Sequence, residues 1–332
     1  KGYNELLWDK PIVPTKEYLD QVSTEHPIYV GRSCFHVAAV NSKALELAGI
    51  TKDTPNPVGG IIGRDKNGEP NGILYENSAF ELVKDIIPSL SQQQLVEQIE
   101  SIGKVLNENG ITSVIDCNMS FNQMRSYNLA LHQGKLTYRD NMMFYLDKAM
   151  GDVSYHLRRI DEMVATTGFG NDMLKMNGIK ITLDGIPATG TAYMREPYEH
   201  MPETCGYMTL TEDEMIEIAK CAAKYNWQIG VHTIGDKAAD VALAAFKAAY
   251  EVSGDVDARH YLIHHPFPCD DQIELMKKMN VGVTMQPTIF SKLGEETILD
   301  KRKRNLNVPC KKYFDAGIIV GGSTDCPVVP CN

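Results

Sequence analysis

From about residue 110 the chain repeats one phrase: a short apolar or β-branched run, a polar or glycine punctuation, then an amphipathic helix. The runs are ITSVIDC (111–117), NMMFYL (141–146), NGIKITLDG (177–185), QIGVHTIG (228–235), RHYLIHH (259–265), VGVTMQP (281–287) and GIIVGGSTD (317–325). Seven strands alternating with helices suggest a parallel sheet, because a parallel neighbour needs a crossover of a dozen or more residues, usually a helix. The repeat therefore predicts an α/β fold, either a β/α barrel or a doubly wound sheet, and 332 residues suffice for a whole barrel.

The helices carry readable start signals. Ser91 with Gln94 forms an S-x-x-Q capping box ahead of Leu95, Ile99, Ile102 and Leu106, and Asn109-Gly110 ends the helix. Thr211 with Glu214 does the same for Met215, Ile218, Ala219 and Ala222. Asp236 is placed to cap KAADVALAAFKAAY, and Asp270 or Asp271 to cap QIELMKKM. Residues 1–90 read differently, with the turn-rich TPNPVGGIIGRDKNGEPNG (54–72) around one short helix, NSKALELAGI (41–50). The expected organisation is an irregular cap or inserted subdomain over 1–90, followed by a β/α domain over 91–332.

A net charge of -10 disfavours a phosphate backbone or an anionic bilayer as partner, leaving a small-molecule substrate as the default. The one basic run, KRKR (301–304), has Glu295, Glu296 and Asp300 just upstream and no interleaved aromatics, so it reads as a solvated helical face. No run of 18 apolar residues is present and no charged-then-apolar leader opens the chain, which together fit a cytoplasmic location. Eight cysteines lie far apart with no C-x-x-C, as expected of reduced thiols; Cys326 and Cys331 alone approach a paired spacing.

In a parallel α/β structure the ligand site lies at the carboxyl ends of the strands, so polar residues there are the candidates. In IKITLDG the apolar Ile179, Ile181 and Leu183 share one face and Lys180, Thr182 and Asp184 the other. In QIGVH, Gln228, Gly230 and His232 share the inner face, the glycine leaving room beside the histidine. In RHYLIHH alternation does not choose between His264, which goes with Leu262 and His260, and His265, which goes with Ile263 and Tyr261. In GIIVGGSTD, Asp325 emerges at the rim on the face of Ile319, Gly321 and Ser323. Singly, a strand-end histidine is more often a bonded core residue and a strand-end aspartate a helix cap. Together, one lysine, two histidines and an aspartate at strand ends are the donors that borderline divalent cations such as zinc prefer.

Taken in order, FHVAAVNSKALELAGI, NPVGGIIGRDKNGEPNGILYE (56–76), GITSVID, KITLDG, VHTIGDKA, LIHH and GGSTDCPV resemble amidohydrolase family 3, the YtcJ-like metal-dependent hydrolases of the amidohydrolase superfamily. The resemblance runs from about residue 10 to the end. It implies a TIM-type (β/α)8 barrel with one or two divalent metal ions, zinc being the expected one, held by His232 on strand five, His264 on strand six, a carbamylated Lys180 on strand four and Asp325 on strand eight. It further implies that a metal-activated water attacks an amide-like C–N bond of formamide, lactam, carbamate or urea type, with Asp325 as the catalytic proton carrier and His36, Glu76 and Asp184 as substrate contacts.

The departures from that pattern matter. The H-x-H element of strand one has no counterpart in residues 1–110, whose histidines are His26 and His36, so the chain is expected to be a fragment holding strands two to eight without the β-domain built from both ends. An incomplete barrel would be open at strands two and eight and invite pairing with a second copy, a homo-oligomer. Where relatives carry Glu-His on strand six, this chain has Ile263-His264 and a second histidine. Two rival readings stay open at this level: an isomerase or deaminase using one metal and an uncarbamylated lysine, and a catalytically silent domain.

Overall fold

The computed structural model describes residues 3, 8–9, 12–32, 36–146, 150–199, 201–255, 257–287, 309–326 and 328. The basic run 301–304 and Cys331 lie outside the described residues. Contacts divide the chain into two compact units, one holding the residues up to Ser89 with those of 324–328, the other running from Leu90 to Ser323.

The first unit is more regular than its composition implies. After α1 (Lys16–Asp20) come β1 (Tyr29–Gly31), β2 (Val37–Val40), α2 (Ser42–Leu47), β3 (Ile61–Arg64), β4 (Pro70–Tyr75) and α3 (Asn77–Lys84), and the strands form an antiparallel sheet in the order β1-β2-β4-β3. Strands of three to six residues, interrupted by proline and glycine, leave too little alternation to read, which is why the sequence predicts only the helix. That helix is capped by Asn41, whose Oδ1 accepts from Ala44 N at 3.0 Å, as its position before SKALEL requires. Ala38, Val40, Leu45, Ile62 and Leu74 form the unit's own small core.

The second unit begins with α4 (Gln92–Glu108) and its described strands and α-helices then alternate: β5 (Ser113–Met119), α5 (Phe121–His132), β6 (Arg139–Leu146), α6 (Val153–Asp161), β7 (Leu174–Thr182), α7 (Glu212–Lys224), β8 (Ile229–Thr233), α8 (Asp236–Ser253), β9 (Tyr261–His264), α9 (Asp270–Lys278), β10 (Gly282–Met285), α10 (Cys310–Asp315) and β11 (Val320–Gly322), with a 3-10 turn at Pro187–Thr189 between β7 and α7. All seven predicted strands are present and parallel, and they lie side by side in chain order from β5 to β11. A doubly wound sheet reverses its strand order at a switch point. This one does not, so the sheet is wound in a single sense.

Ile179, Ile181 and Leu183 of the β7 region are fully buried in the core between sheet and helices, with Val231, Leu262, Val283 and the α8 residues Ala242, Ala245 and Phe246. Each large aliphatic side chain buried there contributes on the order of 1.5–3 kcal/mol. Capping boxes at Ser91 and Thr211 form as the sequence predicts. Two caps differ. Gly235, not Asp236, is the N-cap of α8, and Cys269, not Asp270 or Asp271, is that of α9; the aspartates sit in the first turn, where their charge still complements the helix dipole.

Between β5, β6 and α5 lies a cluster that the sequence did not announce. Asp140 and Asp116 project toward Tyr127 and Tyr138; the Tyr127 hydroxyl donates to Asp116 Oδ2 at 3.3 Å and lies 3.2 Å from the Tyr138 hydroxyl. Asp140 is buried, and neither of its oxygens has a hydrogen-bond partner of good geometry. Burial, followed by the neighbouring Asp116 carboxylate, pushes the Asp140 carboxyl up to about 7. A carboxyl raised in this way holds its proton in the folded state over a pH range in which the unfolded chain has released it. The stability it confers is therefore full below its unfolded pKa and falls as pH rises toward 7. Asp140→Asn is expected to raise the unfolding free energy by on the order of 2 kcal/mol at pH 8 and to change it little at pH 4.5, as read from urea denaturation at the two pH values.

Candidate functional site

The predicted site residues of the second unit converge at the carboxyl ends of β7, β8 and β9. His232 pairs in register with Thr182 on one side and Ile263 on the other, and Thr233 pairs with His264. The His232 and His264 rings meet edge to face, with centroids 4.7 Å apart, and both residues are buried. Lys180 lies two residues before Thr182 on the same face of β7, in register with Tyr145 and Gly230 and 8% exposed. The room left by Gly230 is filled: a Cβ there would come within 3 Å of the Tyr261 ring and of Met143 Cε, and the Tyr261 hydroxyl donates to Met143 Sδ at 2.8 Å.

The choice between His264 and His265 falls to His264, against strict alternation. Leu262 packs into the helix-side core and Tyr261 faces Gly230, so an unbroken strand would turn His264 outward and His265 inward. Instead the backbone enters the left-handed region at both residues, with φ 79° at His264 and 35° at His265. Non-glycine residues adopt that region at a cost of order 1–3 kcal/mol each, and they do so mainly at functional sites. His265, with no exposure, is left on the side of Tyr313, whose ring lies 6.2 Å away, and burial depresses its imidazole to about 4. His260 is the bland case. It stacks on Tyr250, its Nδ1 accepts from Ile229 N at 3.1 Å, and burial again holds it neutral, near 4.

Hydrogen bonds select the tautomers of the paired histidines. His232 Nε2 faces the Gly185 carbonyl at 3.5 Å and Asp184 Oδ1 at 3.7 Å, oxygens that can only accept from it, so Nε2 carries the proton and the lone pair of the neutral ring lies on Nδ1. His264 Nδ1 lies 2.6 Å from Gln286 Oε1, which places its proton on Nδ1 and its lone pair on Nε2. Two imidazoles, each with one ring nitrogen turned to an oxygen acceptor and the other left for a ligand in the neutral form, are the donor chemistry of a divalent cation site. Among the described residues, no group of three or more His, Cys, Asp and Glu side chains is assembled to hold a metal ion.

Asp184 has a different environment from that of a residue open to a ligand. Its buried carboxylate accepts from Tyr193 N at 3.0 Å, Ile234 N at 3.0 Å and Gly235 N at 2.7 Å. It thereby joins the connection after β7 to the backbone that follows His232. The fastening continues outward: the Tyr193 carbonyl accepts from Lys237 N and Ala238 N, both at 3.1 Å, and caps α8, while Asp236 accepts from Arg195 N at 2.8 Å. The Arg195 guanidinium bridges Asp240 on α8 and Asp271 on α9. Beyond it the connection closes on itself, Met194 N donating to Cys205 O at 2.7 Å. Arg195, Tyr193 and Gln286 were not legible as site residues in the sequence; only the position of Gln286, just past an apolar strand, offered a signal.

The remaining candidates belong to the first unit. His36 Nδ1 and Glu76 Oε2 are 2.7 Å apart, and Glu76, at the N-cap of α3, has φ 66° and donates its backbone N–H to His36 O. Asp325, three residues past β11 along the chain, also has a left-handed φ of 55°, and its carbonyl accepts from Val328 N at 2.8 Å.

Comparison with known proteins adds three findings. A model of the family described as the amidohydrolase family matches residues 1–332. YtcJ of Bacillus subtilis is 28% identical over the whole of this chain and 61% of its own length, and the N-substituted formamide deformylase of Arthrobacter pascens is 24% identical over 95% of this chain and 58% of its own. An uncharacterized metal-dependent hydrolase from Pyrococcus furiosus superposes with a TM-score of 0.73 at 26% identity, covering 99% of this chain and 64% of that one. The chain thus spans about three fifths of the length of these relatives.

The close approach at Gly235 gives a direct test of the fastening. A Cβ there would sit 1.9 Å from the Tyr193 carbonyl oxygen. Gly235→Ala is expected to lower the unfolding free energy by about 2–3 kcal/mol through overpacking, measured by urea denaturation, and to speed amide exchange at Lys237 and Ala238.

Proposed function

We propose, from a chain that belongs to the amidohydrolase family, that it forms the metal-binding part of a hydrolase acting on an amide-like C–N bond, with an N-substituted formamide as the first substrate class to test. The observation that carries this reading is the His232–His264 pair, edge to face at 4.7 Å with both tautomers set by oxygen acceptors. The substrate class is supported by the name of the Arthrobacter pascens relative. The seven strands in chain order are read as strands two to eight of a (β/α)8 barrel, and support for that comes from their single winding sense.

In this reading His232 through Nδ1, His264 through Nε2, Lys180 and Asp325 would hold one or two divalent cations, zinc being the cation that such nitrogen and oxygen donors suit. A cation bound there supplies Lewis acidity that lowers the pKa of water toward neutrality. The chain's own groups do the rest. Asp325 takes the proton of the attacking water on a carboxylate oxygen and passes it to the leaving nitrogen, which departs as a neutral amine. Asp184 and the Gly185 carbonyl keep the His232 proton on Nε2, which leaves the Nδ1 lone pair for the cation. Lys180, if carbamylated, contributes two oxygens in place of one amine. His36 and Glu76, bonded to each other, are proposed substrate contacts.

Elemental analysis of the purified chain is expected to find about one or two zinc equivalents, lost in His232→Ala. Release of formate from N-benzylformamide is expected to follow the metal, disappearing with a chelator and returning with zinc. Metal without formate release across a panel of formamides, lactams, carbamates and ureas would remove the amide reading; absence of metal in the wild-type chain would remove the reading of the histidine pair.

A further inference from the structure

Gln286 stands one residue past the end of β10, 2% exposed, and both ends of its carboxamide are engaged. Its Nε2 donates to Ser323 Oγ at 2.9 Å and to the Thr284 carbonyl at 3.3 Å. A main-chain carbonyl has no proton to give, so the NH2 end must face Thr284 and the oxygen end must face His264. The parallel ladder holds the arrangement in place: Met285 pairs with Gly322, and Ser323 N donates to Met285 O at 3.0 Å, bringing the serine under the amide. Oε1 then lies 2.6 Å from His264 Nδ1, the shorter of the two bonds that select a histidine tautomer at this site.

We infer that Gln286 is a positioning residue which locks His264 as its Nδ1–H tautomer and so presents Nε2, rather than Nδ1, as the ring's ligand atom. The inference rests on the reading of His232 and His264 as a metal-binding pair. Gln286 acts only through His264 and touches neither cation nor substrate. The logic runs from the sheet outward: β11 sets Ser323, Ser323 and Thr284 set the amide, the amide sets the proton on His264, and the proton sets which nitrogen has a lone pair. A side chain of similar length without a strong acceptor would fill the space and leave the tautomer unselected.

The test reads the tautomer directly. Ring 15N chemical shifts of His264 in metal-free protein are expected to report Nδ1–H in the wild type and a mixture or the Nε2–H form in Gln286→Met. Gln286→Glu keeps an acceptor toward Nδ1 and is expected to restore the wild-type signature. Ser323→Ala, a milder change that removes one anchor of the amide, is expected to give a smaller shift of the same kind and covers the case in which Gln286→Met does not fold. Zinc affinity by chelator competition is expected to fall about 10–100-fold in Gln286→Met and to recover in Gln286→Glu. Wild-type ring shifts in Gln286→Met or, if that variant does not fold, in Ser323→Ala would overturn the inference, as would an unchanged zinc affinity. If the wild-type chain binds no zinc, the metal reading fails by itself and the metal-free tautomer measurement still decides the role of Gln286.

Discussion

The carboxylate of Asp184 is the joint on which the site depends. A buried anion is costly unless its lone pairs are filled, and here three main-chain N–H groups fill them, two from the residues just after His232 and one from Tyr193 in the preceding connection. Because the partners are backbone groups from separate segments, Asp184 carries the joining of β7 to β8 past the last paired residues, Thr182 and His232, and past the bond from Leu183 N to His232 O. From that joint follow the nearness of Gly185 O to His232 Nε2, the carbonyl cap that Tyr193 gives α8, and the anchoring of Arg195 to two helices.

A second constraint sits one strand away. Two adjacent histidines in left-handed backbone are unfavourable locally, and the cost is offset where His264 gains a ring partner and a short bond to Gln286 while the His265 N–H donates to the Thr233 carbonyl at 2.8 Å. The pair therefore divides its work. His264 turns to the strand ends; His265 is buried against Tyr313, whose hydroxyl donates to its carbonyl.

Much of the fold was legible because it rests on local periodicity. Strands over 111–117, 141–146 and 177–185 declare themselves through alternation or unbroken apolar runs, and the capping boxes at Ser91 and Thr211 are written within four residues. The four-stranded sheet of the first unit was not, because its strands are short and the central pairing, β2 with β4, joins residues as far apart as Val37 and Tyr75. At the site, residue types and strand-end positions could be read for Lys180, His232 and Asp184. The orientation of His264 could not, because alternation leaves His264 and His265 undecided and the left-handed backbone at both residues has no sequence signal. Gln286 and Arg195 escaped for a related reason. Their importance lies in partners 22 to 76 residues away, and neither glutamine nor arginine marks itself as functional by type.

The tie between Met194 and Cys205 separates two kinds of sequence within one connection. Inside it, toward β7 and α8, Asp184 and Tyr193 tie the connection to the backbone after His232 and to the start of α8. Outside it, Tyr198 turns back into the molecule, packing with Met194, Ile234 and Phe267 and donating its hydroxyl to Ala192 O at 2.6 Å. A substitution at Tyr198 would therefore be felt at Ile234, whose N–H Asp184 holds two residues past His232, so this outlying segment is part of the frame of the site and not an ornament on it.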